Sequence, residues 1–176
     1  MKLVVSKSNL LRGVNIVSKA VPTRTTMAIL ECILIDASTN EIKLTGNDME
    51  LGIETKVEGE ILERGKIALD AKLFSEIVRK LADADATVTI ESDEKFNTVI
   101  SGDNSVFKIQ GKDGEEFSYL PYIEKDKYIC LSQFSLKEII RQTLFSISVN
   151  DSNKMMTGEL FEVKGDTLRV VSLDGH

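Results

Sequence analysis

The chain has 176 residues, 42% of them hydrophobic and 28% charged, with eleven Gly, two Pro and a formal net charge of −6. This is the balance of a globular protein with enough apolar residues for a core, and it excludes collagen-like and low-complexity classes. No apolar run approaches the roughly 18 residues that span a bilayer, and MKLVVSKSNLL lacks the unbroken apolar centre of a signal peptide, so a cytoplasmic protein is expected.

In chain order, KLVV reads as a short strand running into Ser6, whose oxygen can cap a helix by accepting a first-turn N–H. The helix that follows spans about Lys7 to Ala20. Leu10, Leu11, Val14, Val17 and Val21 form its apolar stripe, and Ser8, Arg12, Asn15 and Lys19 its opposite face. AILECILID, EIKLTG and ELGIETKV read as strands, separated by the turn clusters Ala37-Ser38-Thr39-Asn40 and Gly46-Asn47-Asp48. KIALD is a further strand, leading to a second cap, Asp70. The second helix, about Ala71 to Leu81, points Leu73, Phe74, Ile77, Val78 and Leu81 inward and Lys72, Glu76 and Arg79 outward. ATVTIES, FNTVIS and SVFKIQ are strands again. Gly111 to Glu116, followed by Pro121, reads as the start of an interdomain linker. A third helix is predicted from a cap at Ser135, with Leu136, Ile139, Ile140, Thr143, Leu144 and Ile147 on its stripe and Lys137 and Arg141 opposite. Cys32 and Cys130 sit among apolar residues and are predicted to be buried free thiols.

Charge is segregated. Residues 1–30 contain Lys2, Lys7, Arg12, Lys19 and Arg24 and no Asp or Glu, so the acidic excess lies in the rest of the chain. One face can then be positive while the whole is acidic.

Two internal repeats organise these elements. At an offset of 64, KLVVSKSNLLRGV aligns with KIALDAKLFSEIV, so strand, cap and helix recur. Two half-units, 1–59 and 60–122, then make one α+β domain with its two helices together on antiparallel sheet. At an offset of 126, Ile35 falls on Phe161, Ile42 on Leu168 and Leu44 on Val170, and the turn-rich gaps coincide. A second module therefore begins near Tyr128, and its period predicts that it continues beyond His176.

MKLVV, SKSNLLRGVNIVSKAV, the Arg24 turn, IKLTGNDMELGIET, EEFSYLP, LKEIIRQTLFSIS and GELFEVKGDTLRVVSLDGH together resemble the bacterial beta sliding clamp, the beta subunit of DNA polymerase III. The resemblance covers the whole chain, with LTGNDMELGIE and VVSLDGH as its most specific phrases. It implies a DNA-clamp (processivity) fold with residues 1–122 as the first clamp domain, 123–176 as the opening part of a second, and a third domain absent. It implies a non-catalytic DNA-replication factor that tethers the polymerase to DNA as a head-to-tail homodimeric ring when full length. The implied partners are duplex DNA bound without sequence preference, the polymerase catalytic subunit, the clamp loader and other clamp-binding peptides.

A sliding ring needs diffuse attraction to phosphates and no base readout. The cations Lys7, Arg12, Lys19, Lys72, Arg79, Lys137 and Arg141 on outward helix faces meet that need. By motif position the resemblance adds loop contacts to tilted duplex at Arg24, Lys72, Asn150, Lys154 and Met155; the last two positions are often aromatic in relatives, so base stacking is not carried over. It also implies a peptide-binding groove at Met156, Leu173, Gly175 and His176, and a dimer interface at Phe107 and Ile109 on an edge strand.

No catalytic set, cofactor or metal is expected. His176 is the sole histidine and stands with only two cysteines, too few for a zinc set. Asp174 and His176 have no nucleophile motif beside them, and Gly111-Lys112 lacks the remaining residues of a phosphate loop.

Overall fold

The computed structural model describes every residue except 82–85, 103–104, 119, 121–123, 125, 127, 150–152 and 176. The chain divides into two compact units, Met1–Tyr122 and Ile123–His176.

The first unit opens with β1 (Lys2–Ser6) and α1 (Lys7–Val17), which tightens into a 3-10 turn at Ser18–Ala20. It continues through β2 (Cys32–Asp36), β3 (Ile42–Asn47), β4 (Gly52–Val57), β5 (Gly59–Glu63) and β6 (Lys66–Asp70). Then come α2 (Ala71–Lys80), β7 (Thr87–Ser92), β8 (Asn97–Gly102), β9 (Ser105–Gln110) and the short β10 (Lys112–Asp113). The predicted strand AILECILID begins only at Cys32, because residues 28–31 form a turn closed by Leu30 N–H on Met27 O and Cys32 N–H on Ile29 O.

Two antiparallel five-stranded sheets result, ordered β5-β1-β7-β8-β9 and β10-β6-β2-β3-β4. The strand that leads into each helix belongs to the other half-unit's sheet. β1 pairs with β7, Leu3 opposite Ile90, and β6 pairs with β2, Ile67 opposite Ile35. Neither half can complete its sheet alone, so the two fold as one domain. The two-fold relation extends to single bonds. Lys7 N–H donates to Ala86 O at 2.9 Å, and Ala71 N–H, 64 positions on, donates to Glu31 O at 3.0 Å. Asp70 caps α2 by accepting the Leu73 amide at 2.7 Å.

Both helices share one core of Leu3, Leu10, Val14, Ile33, Ile35, Leu44, Ile67, Leu69, Phe74, Val78 and Ile90. Each such side chain contributes about 1.5–3 kcal/mol by leaving water. α1 lies tight on β3 and β4 because small residues stand at the contact. A Cβ on Gly46 would sit 2.3 Å from the Val17 carbonyl oxygen, and one on Gly13 would sit 2.7 Å from Val57 Cγ2.

Three further expectations for this unit need correction. Leu73 is 44% exposed, because at 100° per residue it lies a quarter turn from the centre of the Phe74–Leu81 stripe. Lys7 is buried, and its ammonium donates to the Leu81 carbonyl oxygen, closing the end of α2 instead of facing solvent. Residues 111–116 belong to the domain rather than to a linker. Lys112 and Asp113 pair with Ala68 and Ile67, the Gly114–Glu116 turn follows, and Phe117 packs at 2% exposure on Cys32, Leu34 and Ala68.

The second unit holds α3 (Gln133–Thr143), 3-10 turns at Leu144–Ser146 and Lys154–Thr157, and the hairpin β11 (Leu160–Lys164) and β12 (Thr167–Val171). The cap of α3 is Ser132, not Ser135: its oxygen accepts the Ser135 amide at 2.9 Å. The 126-residue shift carries Ser6 to Ser132. The hairpin keeps register under the same shift, Ile35 opposite Leu44 and Phe161 opposite Val170. Cys130 is exposed; Cys32 alone of the two thiols is buried. The stripe of α3 is not sealed, with Leu136 and Leu144 exposed and no buried residue in the helix.

Candidate nucleic-acid interface

α1 and α2 lie against each other, and their capped starts set which residues face solvent. Ser8, Arg12, Asn15 and Lys19 are exposed along α1 and its terminal turn; Lys72, Glu76, Arg79 and Lys80 are exposed along α2. Arg79 Nη2 donates to Asn15 Oδ1 at 3.3 Å and ties the two faces together. A cleft lined by Ser18, Val21, Lys72, Ser75, Glu76 and Arg79 runs between them. Among the described residues, none of Arg12, Lys19, Lys72, Arg79 and Lys80 is in an ion pair. Lys80 escaped the sequence reading because it adjoins Arg79 beside the apolar stripe; its place in the last turn of α2 was the available signal.

The sheets treat their lysines differently. Lys2 pairs with Glu91 at 3.0 Å, Lys43 with Glu54 at 3.1 Å, Lys56 with Glu41 at 2.5 Å and Lys66 with Glu115 at 3.0 Å. The Lys56 ammonium holds the Glu41 carboxyl below the usual carboxylate range, and Glu54 pushes the Lys43 ammonium up. Among the described residues, Lys108 and Lys112 are the strand lysines of this unit without an acidic partner, and Lys112 donates to Ala28 O at 2.6 Å. Exposed pairs of this kind add little stability, about 0–1 kcal/mol each, but they cancel local charge. The helix side keeps its positive potential while most of the sheet side is neutralised.

The loop residues divide. Arg24 is exposed in the turn after α1, and its neighbour Thr23 lines a second cleft with Lys72, Asp70 and Glu31. In the other unit, Lys154 and Met155 are exposed on a 3-10 turn whose start is fixed by Asn153 Oδ1 accepting the Met155 amide at 3.2 Å. Asn150 lies outside the described residues. Lys137 is exposed on α3, whereas Arg141 is clamped to Glu138 at 2.8 Å, so its charge is largely cancelled.

For the groove residues, the structure brings Met156 and Gly175 together. Gly175 has φ +86, and a Cβ there would sit 3.0 Å from Met156 Sδ. Leu173 is exposed, and His176 lies outside the described residues. Among the described residues, β9 is an edge strand paired with β8 alone. Phe107 and Ile109 pack against the core, so Val106, Lys108 and Gln110 are its outward side chains. Among the described residues no group of three or more His, Cys, Asp and Glu could hold a metal ion, and no helix is long and apolar enough to cross a membrane.

A family model described as "DNA polymerase III beta subunit, N-terminal domain" matches residues 1–121, and one described as "DNA polymerase III beta subunit, central domain" matches residues 130–176. A beta sliding clamp from Halalkalibacterium halodurans is 38% identical over 184 aligned residues, covering 100% of this chain and 48% of that protein. A putative DNA polymerase III beta subunit from Eubacterium rectale superposes with a TM-score of 0.93 at 70% identity, again covering 100% of this chain and 48% of the other. A sliding clamp from Bartonella birtlesii, solved bound to griselimycin, superposes with a TM-score of 0.86 at 29% identity over 100% of this chain and 48% of its own. The chain thus spans about half the length of the relatives it matches. With two consecutive domain models matching in order, it belongs to the DNA polymerase III beta subunit family, the beta sliding clamps.

Proposed function

We propose that this chain forms the first domain and the opening part of the second domain of a non-catalytic ring that encircles duplex DNA and tethers the replicative polymerase. The observation that carries the reading is the contrast in charge pairing among the described residues: cations without ion pairs on the α1–α2 face, ion-paired lysines on most of the sheet side. A polyanion backbone is drawn to the first surface and not to the second. Long Lys and Arg side chains can meet phosphates through water, which permits sliding. Arg24 and Lys72 would contact a tilted duplex at one end of the helix pair, with Asn150, Lys154 and Met155 contributing from the second unit.

In the same proposal, the open edge of β9 joins a neighbouring subunit head to tail, because among the described residues its backbone groups have no second strand to pair with. The unsealed stripe of α3 fits a second domain whose remaining strands lie outside this chain. Met156, Leu173, Gly175 and His176 would form part of an apolar groove for the peptides of the polymerase, the clamp loader and other partners. The griselimycin complex of the Bartonella birtlesii clamp shows a relative that takes up a ligand. The test uses full-length protein containing this chain, loaded on circular DNA. Retention is expected to survive on circles and to vanish once they are linearised; equal retention on both forms would rule out topological tethering.

A further inference from the structure

Glu76 is the one acidic residue in α1 and α2. On a helix it is a neighbour of Lys72 at i−4, Arg79 at i+3 and Lys80 at i+4, spacings at which opposite charges meet. Yet it is in no ion pair among the described residues. Arg79 instead donates across the helix pair to Asn15 Oδ1 at 3.3 Å. An amide oxygen is a neutral acceptor: it fixes one guanidinium nitrogen and leaves the full positive charge and the remaining donors open. A carboxylate in the same place would orient the guanidinium and cancel it.

We infer that Asn15 is a positioning residue that holds Arg79 off Glu76, so that an uncancelled guanidinium stands between α1 and α2 for a phosphate backbone. The inference rests on the reading of this face as a duplex-binding surface. The sequence relation strengthens it: Asn15 and Arg79 are equivalent positions of the two half-units, 64 residues apart, and so meet where the local two-fold relation brings the helices together. An acid at position 15 would have put a carboxylate against Arg79 at the centre of the face.

The experiment measures affinity of the chain for a short fluorescent duplex against salt, in the parent, Asn15→Ala, Glu76→Gln and the double variant. Asn15→Ala is expected to weaken binding several-fold and to make the log–log salt slope shallower by about 0.9, one phosphate contact. In the Glu76→Gln background the same substitution is expected to cost nothing, because no carboxylate remains to capture Arg79. An equal loss in both backgrounds, or no loss in the parent, overturns the inference. A crystal structure of the Asn15→Ala variant decides it independently of DNA: Arg79 is expected within ion-pair distance of a Glu76 oxygen, and Arg79 left unpaired overturns it. Parent protein that binds no duplex while that crystal shows the Arg79–Glu76 pair would instead reject the duplex-binding reading and leave the positioning role standing.

Discussion

Ser6 and Ser132, 126 residues apart, cap the same helix in two successive repeats. The Ser6 oxygen accepts the Asn9 amide at 3.3 Å, and the Ser132 oxygen accepts the Ser135 amide at 2.9 Å. Beyond them, α1 (Lys7–Val17) and α3 (Gln133–Thr143) coincide end to end under the shift. Each cap satisfies a first-turn N–H that would otherwise lack a partner. Ser6→Ala is expected to destabilise the first unit by about 1 kcal/mol and Ser6→Gly by only a few tenths, read from urea midpoints. An alanine variant as stable as the parent would show that the Ser6 bond contributes nothing.

Gly46 and Val17 define how closely α1 can approach the sheet. Gly46→Ala forces a Cβ to within 2.3 Å of a backbone oxygen, which cannot rotate away. A loss of about 1–3 kcal/mol is expected. Gly158, with nothing within 4 Å of its Cβ position, is the control, and its alanine variant is expected to unfold within about 0.5 kcal/mol of the parent. Equal midpoints for both variants would contradict the packing.

Stability should fall in acid through turn carboxylates. The side chain of Asn97, with its amide and that of Lys95, holds Asp93 below the usual carboxylate range; the amides of Leu51 and Glu50 do the same for Asp48. Because these groups titrate lower folded than unfolded, their contribution is complete above the unfolded value near about 4 and disappears as pH drops through the folded one. Asp93→Asn should flatten the acid limb of a urea-midpoint-against-pH curve; an unchanged limb would assign the acid loss elsewhere.

The two thiols should react at very different rates. Burial pushes the Cys32 thiol up, with Lys112 opposing only in part, and thiolate is the reactive form. Cys130 is exposed. With limiting alkylating reagent at neutral pH, mass spectrometry is expected to find the label on Cys130, and on Cys32 only after denaturation. Comparable labelling of both in the folded chain would contradict the burial of Cys32.

The helices, their caps at Ser6 and Asp70 and most strands were legible because apolar period and capping chemistry agree there. The exchange of β1 and β6 between sheets was not legible, since partners such as Ser6 and Thr87, or Asp36 and Lys66, stand too far apart in the chain to leave a local signal. Residues 111–116 misled because Gly and acidic residues dominate; the cue was Phe117, an aromatic with no place in a solvated linker. Leu73 misled because apolar type alone does not fix angular position on a helix. The true cap of α3, Ser132, had its own signal in the 126-residue repeat, which carries Ser6 onto it. Of the candidate interface, the outward faces of α1 and α2 were legible as period. Lys7 was not, because a lysine that caps a neighbouring helix looks the same in sequence as one that faces water.

Charge reversal on the two sides of the first unit tests the central claim most directly. Duplex affinity and its salt slope are to be measured for Lys72→Glu with Arg79→Glu, and separately for Lys43→Glu with Lys56→Glu. The helix-face pair is expected to lower affinity strongly and to make the slope shallower by about 1.8, two phosphate contacts, while the sheet pair leaves the slope unchanged. Equal effects from both pairs, or a flat salt dependence in the parent, would contradict it.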